Sequence, residues 1–495
     1  MDNWLIWVFI LILFGFIKIS KRFLSQHINF CNWCKWCCEY WNKLSEKSRL
    51  ITANLLLGVV ITLMLLPFQD GHLSSTEDAN IDWMMQMYRG SAPLKEMPPF
   101  VLFDIDEYTY RQWQEPLITP RNKLLQLVEL AVEGQAKVIL IDIDLTYPVN
   151  RQSATLHEAD KALYEYIYNY DKRYCTNKQC PHIVLVRTFR VLLDANNQPS
   201  NSYEQRHSFL DTAVNHSEHV HWASTLFELQ HDRVLRRWRL WEKQVADISK
   251  QPTVIPSIQL LTVLLITSQG SNQVKKFLAN LRSQSIVLEL GNNLSLHLMP
   301  SDLNRRILYT IPWQLEEGET YPTLSDERLL LNIMSAYNVI ESIKKSIKMS
   351  HTFPTKDLLN MPLLKESLVV IGGSYEDSSD LYETPLGKMP GTMVLINAVH
   401  SLLQYGELNP PPSVWITICK TIFFILVMTL VFAFFPNNPC YGMLLSTLVI
   451  ILTIVFASFW VFRDGIWLNF VVPLLAVQVR QTIASLKGNP CAISE

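Results

Sequence analysis

Four aspartates are spaced to act together. Asp104 and Asp106 lie two apart in the run Val101-Leu102-Phe103-Asp104-Ile105-Asp106, and Asp142 and Asp144 repeat that spacing at the end of a second apolar run. Side chains two apart on an extended strand emerge on one face. If the two runs are neighbouring parallel strands, four carboxylates gather at the carboxyl ends of a sheet, where open α/β folds bind ligands. Such an oxygen-rich cluster suits Mg2+ or Ca2+, and burial could split the proton affinities for acid–base work. The plainer reading is that the aspartates cap loops and pair with Arg121. Asp377, Asp380, Tyr382 and Thr384 follow another glycine-rich strand end, Gly372-Gly373, and are placed to face the same pocket. Paired glycines there either bring backbone amides close to an anion or make a tight turn. The candidate ligand-binding set is therefore Asp104, Asp106, Arg121, Asp142, Asp144, Asp380 and Thr384. No nucleophile elbow, P-loop or HExxH helix accompanies them, so neither an enzymatic reaction nor a cofactor is expected.

Cysteines form two groups. Cys31, Cys34, Cys37 and Cys38 could close a tetrahedral metal site, but they lie among Trp33, Trp36, Tyr40 and Trp41 and several lysines. That pattern reads equally as an interfacial helix, with the thiols buried or lipidated. Cys175 and Cys180 bracket a short polar loop, and an oxidising compartment would join them as a structural disulfide. His216, His219, His221 and His231 have no clear metal register and read as exposed loop residues. Arg233, Arg236, Arg237 and Arg239 read as the solvated face of a hairpin, or alternatively as a surface for an acidic partner.

Positioning these side chains takes strands and helices. Branched runs bounded by turn formers predict strands at 100–105, 138–143, 183–186, 286–290, 307–311 and 368–371. Between the first two, leucines at 124, 125, 127 and 130 give helical periodicity over 122–133, and Gly134 stops it. A strand–helix–strand unit of that length implies parallel strands. Further helices are predicted at 257–266, 329–348 and 392–404. The expected domain is α/β with a mixed, partly parallel sheet.

Hydropathy adds membrane helices. The chain has 495 residues, 49% hydrophobic and only 18% charged, a blend of spans and one globular domain. The net charge of -2 argues against nucleic acid as a partner. Apolar stretches at 50–68, 414–435, 441–462 and 466–486 are long enough to span as helices, and 4–19 reads as a shorter uncleaved segment. Lys18, Lys21, Arg22, Lys35, Lys43, Lys47 and Arg49 make the first loop cytoplasmic. The expected order is a first hydrophobic segment (1–20), a cytoplasmic basic loop (21–49), a span (50–68), an extracytoplasmic domain (69–412), three spans (413–487) and a cytoplasmic tail (488–495). The expected location is a bacterial inner membrane, with the large domain in the periplasm.

Ordered motifs across the central domain resemble those of the CHASE2 family. They begin with Asp82, Tyr88-Arg89-Gly90, the run from Val101 to Glu107, Thr119-Pro120-Arg121 and the run from Val138 to Asp144. His221-Trp222 and the stretch from Asp232 to Arg237 are similar to the family's small DGxxR hairpin. Leu368 to Gly373, Asp380, Thr384-Pro385-Leu386-Gly387, Pro390-Gly391 and Ile396-Asn397-Ala398 complete the series. The chain departs from the pattern at His231-Asp232-Arg233, where Asp-Gly is usual, and at Leu395-Ile396-Asn397, where hAN is common. The resemblance implies an extracytoplasmic sensory domain flanked by membrane helices. Family members usually continue into a cytoplasmic output domain, and here Lys487 to Glu495 alone follow the last apolar stretch. The expected role is thus a sensory or regulatory subunit that recognises a small extracytoplasmic ligand or a protein and signals through its helices to a separate membrane or cytoplasmic effector. The alternative is a structural subunit of a larger membrane complex.

Overall fold

The computed structural model describes residues 74–406 and Phe462, except 91–96, 151–154, 176–179, 194–198, 226, 228, 244–253, 268–273, 275–285, 292–293, 299–303, 343–362 and 379. The apolar stretches at 4–19, 50–68 and 414–486 and the thiols Cys31, Cys34, Cys37 and Cys38 lie outside the described residues, Phe462 apart. Among the described residues, no helix is long and apolar enough to cross a membrane. Residues 76–411 with 457–468 make one compact unit; a second unit, 1–75, 412–456 and 469–495, is almost entirely outside the description.

A six-stranded sheet organises the compact unit. Its strands are β1 (Phe100–Ile105), β2 (Val138–Asp142), β3 (His182–Arg187), β6 (Val220–Ser224), β13 (Leu331–Ser335) and β14 (Leu368–Gly373). Their spatial order is β13-β1-β14-β2-β3-β6, and every neighbouring pair is parallel. Strands buried on both faces read as continuous apolar runs, which is why Phe100–Ile105 is buried at every position.

Helices cover both faces. On one side, α3 (Arg121–Glu133), α4 (Glu158–Tyr168) and α6 (Asp211–His216) pack Leu124, Leu127, Val128, Leu163, Ile167 and Val214 against Val101, Phe103, Ile139, Ile183 and Ile371. Burying each such side chain contributes about 1.5–3 kcal/mol. On the other side, α7 (Ile258–Thr267) and α8 (Gly391–Tyr405) pack together, α7 against β2 and β3 and α8 against β14. The remaining helices are α1 (Ser74–Met87), α2 (Glu107–Gln112) and α5 (Tyr170–Tyr174). Two-stranded ladders surround this core: β4 (Phe189–Leu193) with β5 (Pro199–Gln205), β7 (Arg237–Arg239) with β12 (Asn304–Arg306), β8 (Trp241–Lys243) with β9 (Val254–Pro256), β10 (Ile286–Gly291) with β11 (Leu294–Leu298), and β15 (Leu381–Thr384) with β16 (Gly387–Pro390).

Three expectations need correction. β1 and β2 are not neighbours, because β14 enters the sheet between them. Of the single helix expected over 329–348, the described part is instead strand β13 followed by helical residues 336–342, since Leu331 to Ser335 complete the sheet edge beside β1; residues 343–348 lie outside the described residues. The strand expected at 307–311 is irregular buried backbone. Side chains of α8 take over its pairing: Ser401 Oγ accepts from Leu308 N at 3.0 Å, and Asn397 Oδ1 accepts from Thr310 N and Ile311 N at 3.2 and 3.1 Å. Asn397 Nδ2 donates back to Ile311 O at 3.0 Å. Buried amides need partners, and here a helix supplies them.

Candidate functional site

Parallel register sets the geometry of the site. Gly372 in β14 pairs with Asp104 of β1 on one side and Asp142 of β2 on the other. The three residues therefore point to one face, with the two carboxyls roughly 10 Å apart across two strand spacings. The face is the one covered by α8. A Cβ on Gly372 would collide with Thr392 Cγ2 and lie 3.2 Å from Asp142 Cβ, so the glycine admits the first turn of the helix. Gly391 does the same for Asp380, whose carboxylate occupies the space a side chain would fill. The amino end of α8 thus rests among carboxyl groups, which suits the positive end of its dipole.

A cleft of about 440 Å³ opens at these strand ends, lined by Thr119, Arg121, Asp142, Asp144, Tyr147, Tyr375 and Asp380, among others. Four of the seven candidate residues meet there: Arg121, Asp142, Asp144 and Asp380. Asp142 keeps some contact with solvent through the cleft but is otherwise enclosed. Burial pushes Asp142 and Asp380 above the usual carboxylate range, with repulsion from Asp380 adding to the effect on Asp142. Asp380 also gains a hydrogen bond from Tyr382. The pair therefore retains a proton where ordinary aspartates are ionised.

Arg121, the first residue of α3, is 1% exposed. Its Nη2 donates to the carbonyls of Asp144 and Tyr147, each at 3.3 Å, and its Nε lies 3.6 Å from Asp160 Oδ1. Burial works against its charge, with Asp160 and Asp144 offsetting that effect. Nη1 has no hydrogen-bond partner. Asp160, whose Oδ2 accepts from Val149 N at 2.8 Å, is a residue the sequence reading missed. It sits on a separate helix 39 positions away, with nothing in the local pattern to mark it.

The other three candidates serve elsewhere. Asp104 does not line the cleft; it is 3% exposed and accepts from Ser374 Oγ at 2.7 Å. Burial, with a smaller push from Asp106, raises it to about 7, partly offset by Ser374. Asp106 is beyond the strand end and caps α2, accepting from Thr109 N at 2.7 Å. Thr384 Oγ1 donates to Gly387 O at 2.6 Å and closes the β15–β16 turn. Among the described residues, the cleft carboxylates do not converge closely enough to make a three-ligand ion site.

A model of the CHASE2 domain matches residues 56–434. The chain belongs to the CHASE2 domain family. No curated protein and no solved structure matches it. CHASE2 is a family of sensory domains, in keeping with a sensory role. Its motif residues now have physical assignments in this chain. Arg233, at the usual glycine position of the hairpin motif, adopts φ 61°, a left-handed conformation that explains why glycine suits the turn. Arg236, the arginine of that motif, bonds Asp82 rather than water. Asn397 holds the irregular segment at 307–311.

The arginines and histidines also correct expectations. Arg236 and Arg237 are not a solvated face, because α1 presents Asp82 and Asp78 to them. His219 and His221 gather with His182 at the amino ends of β3 and β6, at the opposite end of the sheet from the cleft. His182 was not in the expected set, being 39 residues from His221 in sequence. Burial brings it down to about 4, so the ring is neutral. Cys175 and Cys180 are joined by a disulfide with Cα atoms 5.1 Å apart.

Proposed function

We propose that this protein is a non-enzymatic sensory subunit of a bacterial inner membrane, its CHASE2 domain facing the periplasm. A small polar ligand enters the cleft between Arg121, Asp144 and the Asp142–Asp380 pair. The ligand is recognised by hydrogen bonds, from Arg121 Nη1 and to the carboxyls, rather than by a resident cofactor. α8 carries the change to the apolar stretches at 413–487, and these pass it to a separate membrane or cytoplasmic effector. The ligand must favour one position of α8 over another, since equal affinity for both would shift nothing.

The observation that supports this reading is the seat of α8. Its first residue, Gly391, lies against the cleft side chain Asp380, its second, Thr392, packs over Gly372, the register partner of Asp142, and its sequence continues toward the longest apolar region of the chain. A helix is stiff along its axis, so a change at its amino end is felt at Tyr405.

Quantifying what leaves native membranes with the full chain tests the proposal. Mild detergent extraction and mass spectrometry are expected to recover a membrane or cytoplasmic partner whose yield changes in Asp380→Asn. A stoichiometric partner indifferent to that substitution and to Arg121→Met would contradict sensing and favour a fixed structural subunit.

A further inference from the structure

Helix α1 carries its polarity the wrong way round for a helix bathed on one side by water. Asp78 and Asp82 point into the compact unit, where Arg237 and Arg236 bind them, and Ile81, Met84 and Met85 are buried on the same side. The outward stripe is made by Ala79, Trp83, Gln86 and Met87, all exposed and none charged. Positions three and four apart share a helix face, so Trp83, 45% exposed, and Met87, 54% exposed, form one apolar ridge. A water-facing helix carries its charged residues on the outer face. Single exposed apolar residues are ordinary on a protein surface, but here two large ones stand in register while Asp78 and Asp82 are turned inward.

What covers the ridge follows from where the ends of α1 lie in the chain. Ser74 comes five residues after the apolar stretch at 50–68. At the other end, the ring of Tyr88 meets that of Phe462, the last residue of the apolar stretch at 441–462, with centres 5.5 Å apart. Phe462 belongs to the same compact unit as Tyr88 and is 3% exposed. On the membrane reading proposed above, 50–68 crosses outward, and 414–435 and 441–462 cross in and back, so residues 68 and 462 reach the same membrane face.

We propose that α1 lies flat in the interface of the membrane that holds the chain, with its Trp83–Met87 ridge set into phospholipid at the level of the headgroups. The inference rests on the membrane location proposed above. A helix of 14 residues is about 21 Å long, and with both ends tied to the same face it runs along that face rather than rising from it. Tryptophan suits the level because its ring is apolar and its N–H polar. An interfacial helix buries its apolar face at the boundary of headgroups and acyl chains. The ion pairs of Asp82 with Arg236 and of Asp78 with Arg237 and Arg306 fix which face α1 presents to the lipid.

A photocrosslinker on the ridge tests the placement. The full chain carrying Trp83→p-benzoylphenylalanine is placed in nanodiscs of phosphatidylethanolamine and phosphatidylglycerol, irradiated, and read by mass spectrometry for a phospholipid adduct. Val449→p-benzoylphenylalanine, inside the apolar stretch 441–462, reports whether the chain enters the bilayer at all. Leu117→p-benzoylphenylalanine, fully exposed at the water-facing cleft, reports unselective labelling. Adducts from the Trp83 and Val449 variants, and none from the Leu117 variant, are expected. An adduct from the Val449 variant without one from the Trp83 variant would overturn the proposal and leave the membrane reading standing. No adduct from either would overturn both. Equal yields from the Trp83 and Leu117 variants would also overturn the proposal, as would a crosslinked dimer of the Trp83 variant, which would assign the ridge to a second copy of the chain.

Discussion

Asp82 on α1 and Arg236 in the hairpin motif form a side-on ion pair, with Nη2 2.7 Å from Oδ2 and Nε 2.9 and 3.1 Å from the two carboxylate oxygens. The partners are pulled in opposite senses. Burial favours a neutral Asp82, whereas Asp82 and Asp232 outweigh burial in holding Arg236 charged. Three close contacts to a group that keeps its proton decide for the ionic pair. One turn earlier, Asp78 bonds Arg237 at 2.9 Å and Arg306 as well. Acidic residues four apart thus tie α1 to the β7–β12 ladder.

Arg236→Met leaves the Asp82 carboxylate without this ion pair in a largely dry place and is expected to cost about 3–5 kcal/mol in urea unfolding. Asp82→Ala should cost less, because Asp232 still pairs with Arg236 at 2.7 Å. The double variant should recover much of that loss, and Arg236→Lys should not, because an ammonium cannot make the side-on contact.

Asn397 replaces a strand partner for Thr310 and Ile311. Asn397→Ala is expected to cost about 3 kcal/mol by leaving buried amides unpaired. Asn397→Asp should cost more, since it retains the acceptor but loses the donor to Ile311 O and Met393 O and adds a buried charge. Thermal or urea unfolding of the pair of variants checks the order.

Gly372 is the point of closest approach between sheet and helix. Gly372→Ala should destabilise by about 1–3 kcal/mol through overpacking against Thr392. Thr392→Ser removes the offending methyl and should restore part of the loss, which a double-mutant cycle would register as coupling.

Asp104 keeps a proton in the folded chain up to about 7, where the unfolded chain releases it near 3.8. The folded state therefore binds more protons between these values, and stability falls as pH rises through that window. Asp104→Asn should flatten the slope, with a difference of at most about 4 kcal/mol by pH 8. The Asp142–Asp380 pair acts in the same direction and remains in the variant. Urea unfolding between pH 4 and pH 8, within that window and just above it, measures both.

Much of the core was legible because its local signals were strong. The run Phe100 to Ile105 is apolar at four of its first four positions and is a strand over those bounds. Leucine periodicity found α3 to within one residue. Pairing between distant segments was not legible. Nothing local says that Leu368 to Gly373 inserts between β1 and β2, yet that insertion separates Asp104 from Asp142. Arg236 looked solvated because its partner is 154 positions away. The same distance problem hid Asp160 from Arg121 and His182 from His221. Spacing also misled locally: Asp106 follows its strand by one residue and turns to capping.

Hydrogen–deuterium exchange of the full chain in micelles, wild type against Asp380→Asn, addresses most directly the coupling between cleft and helix on which the sensory account depends. The account predicts altered exchange along the whole of α8, from Gly391 to Tyr405, because the substituted carboxyl rests on its first residue. A change confined to the loop around Asp380, with α8 exchanging as in the wild type, would contradict it.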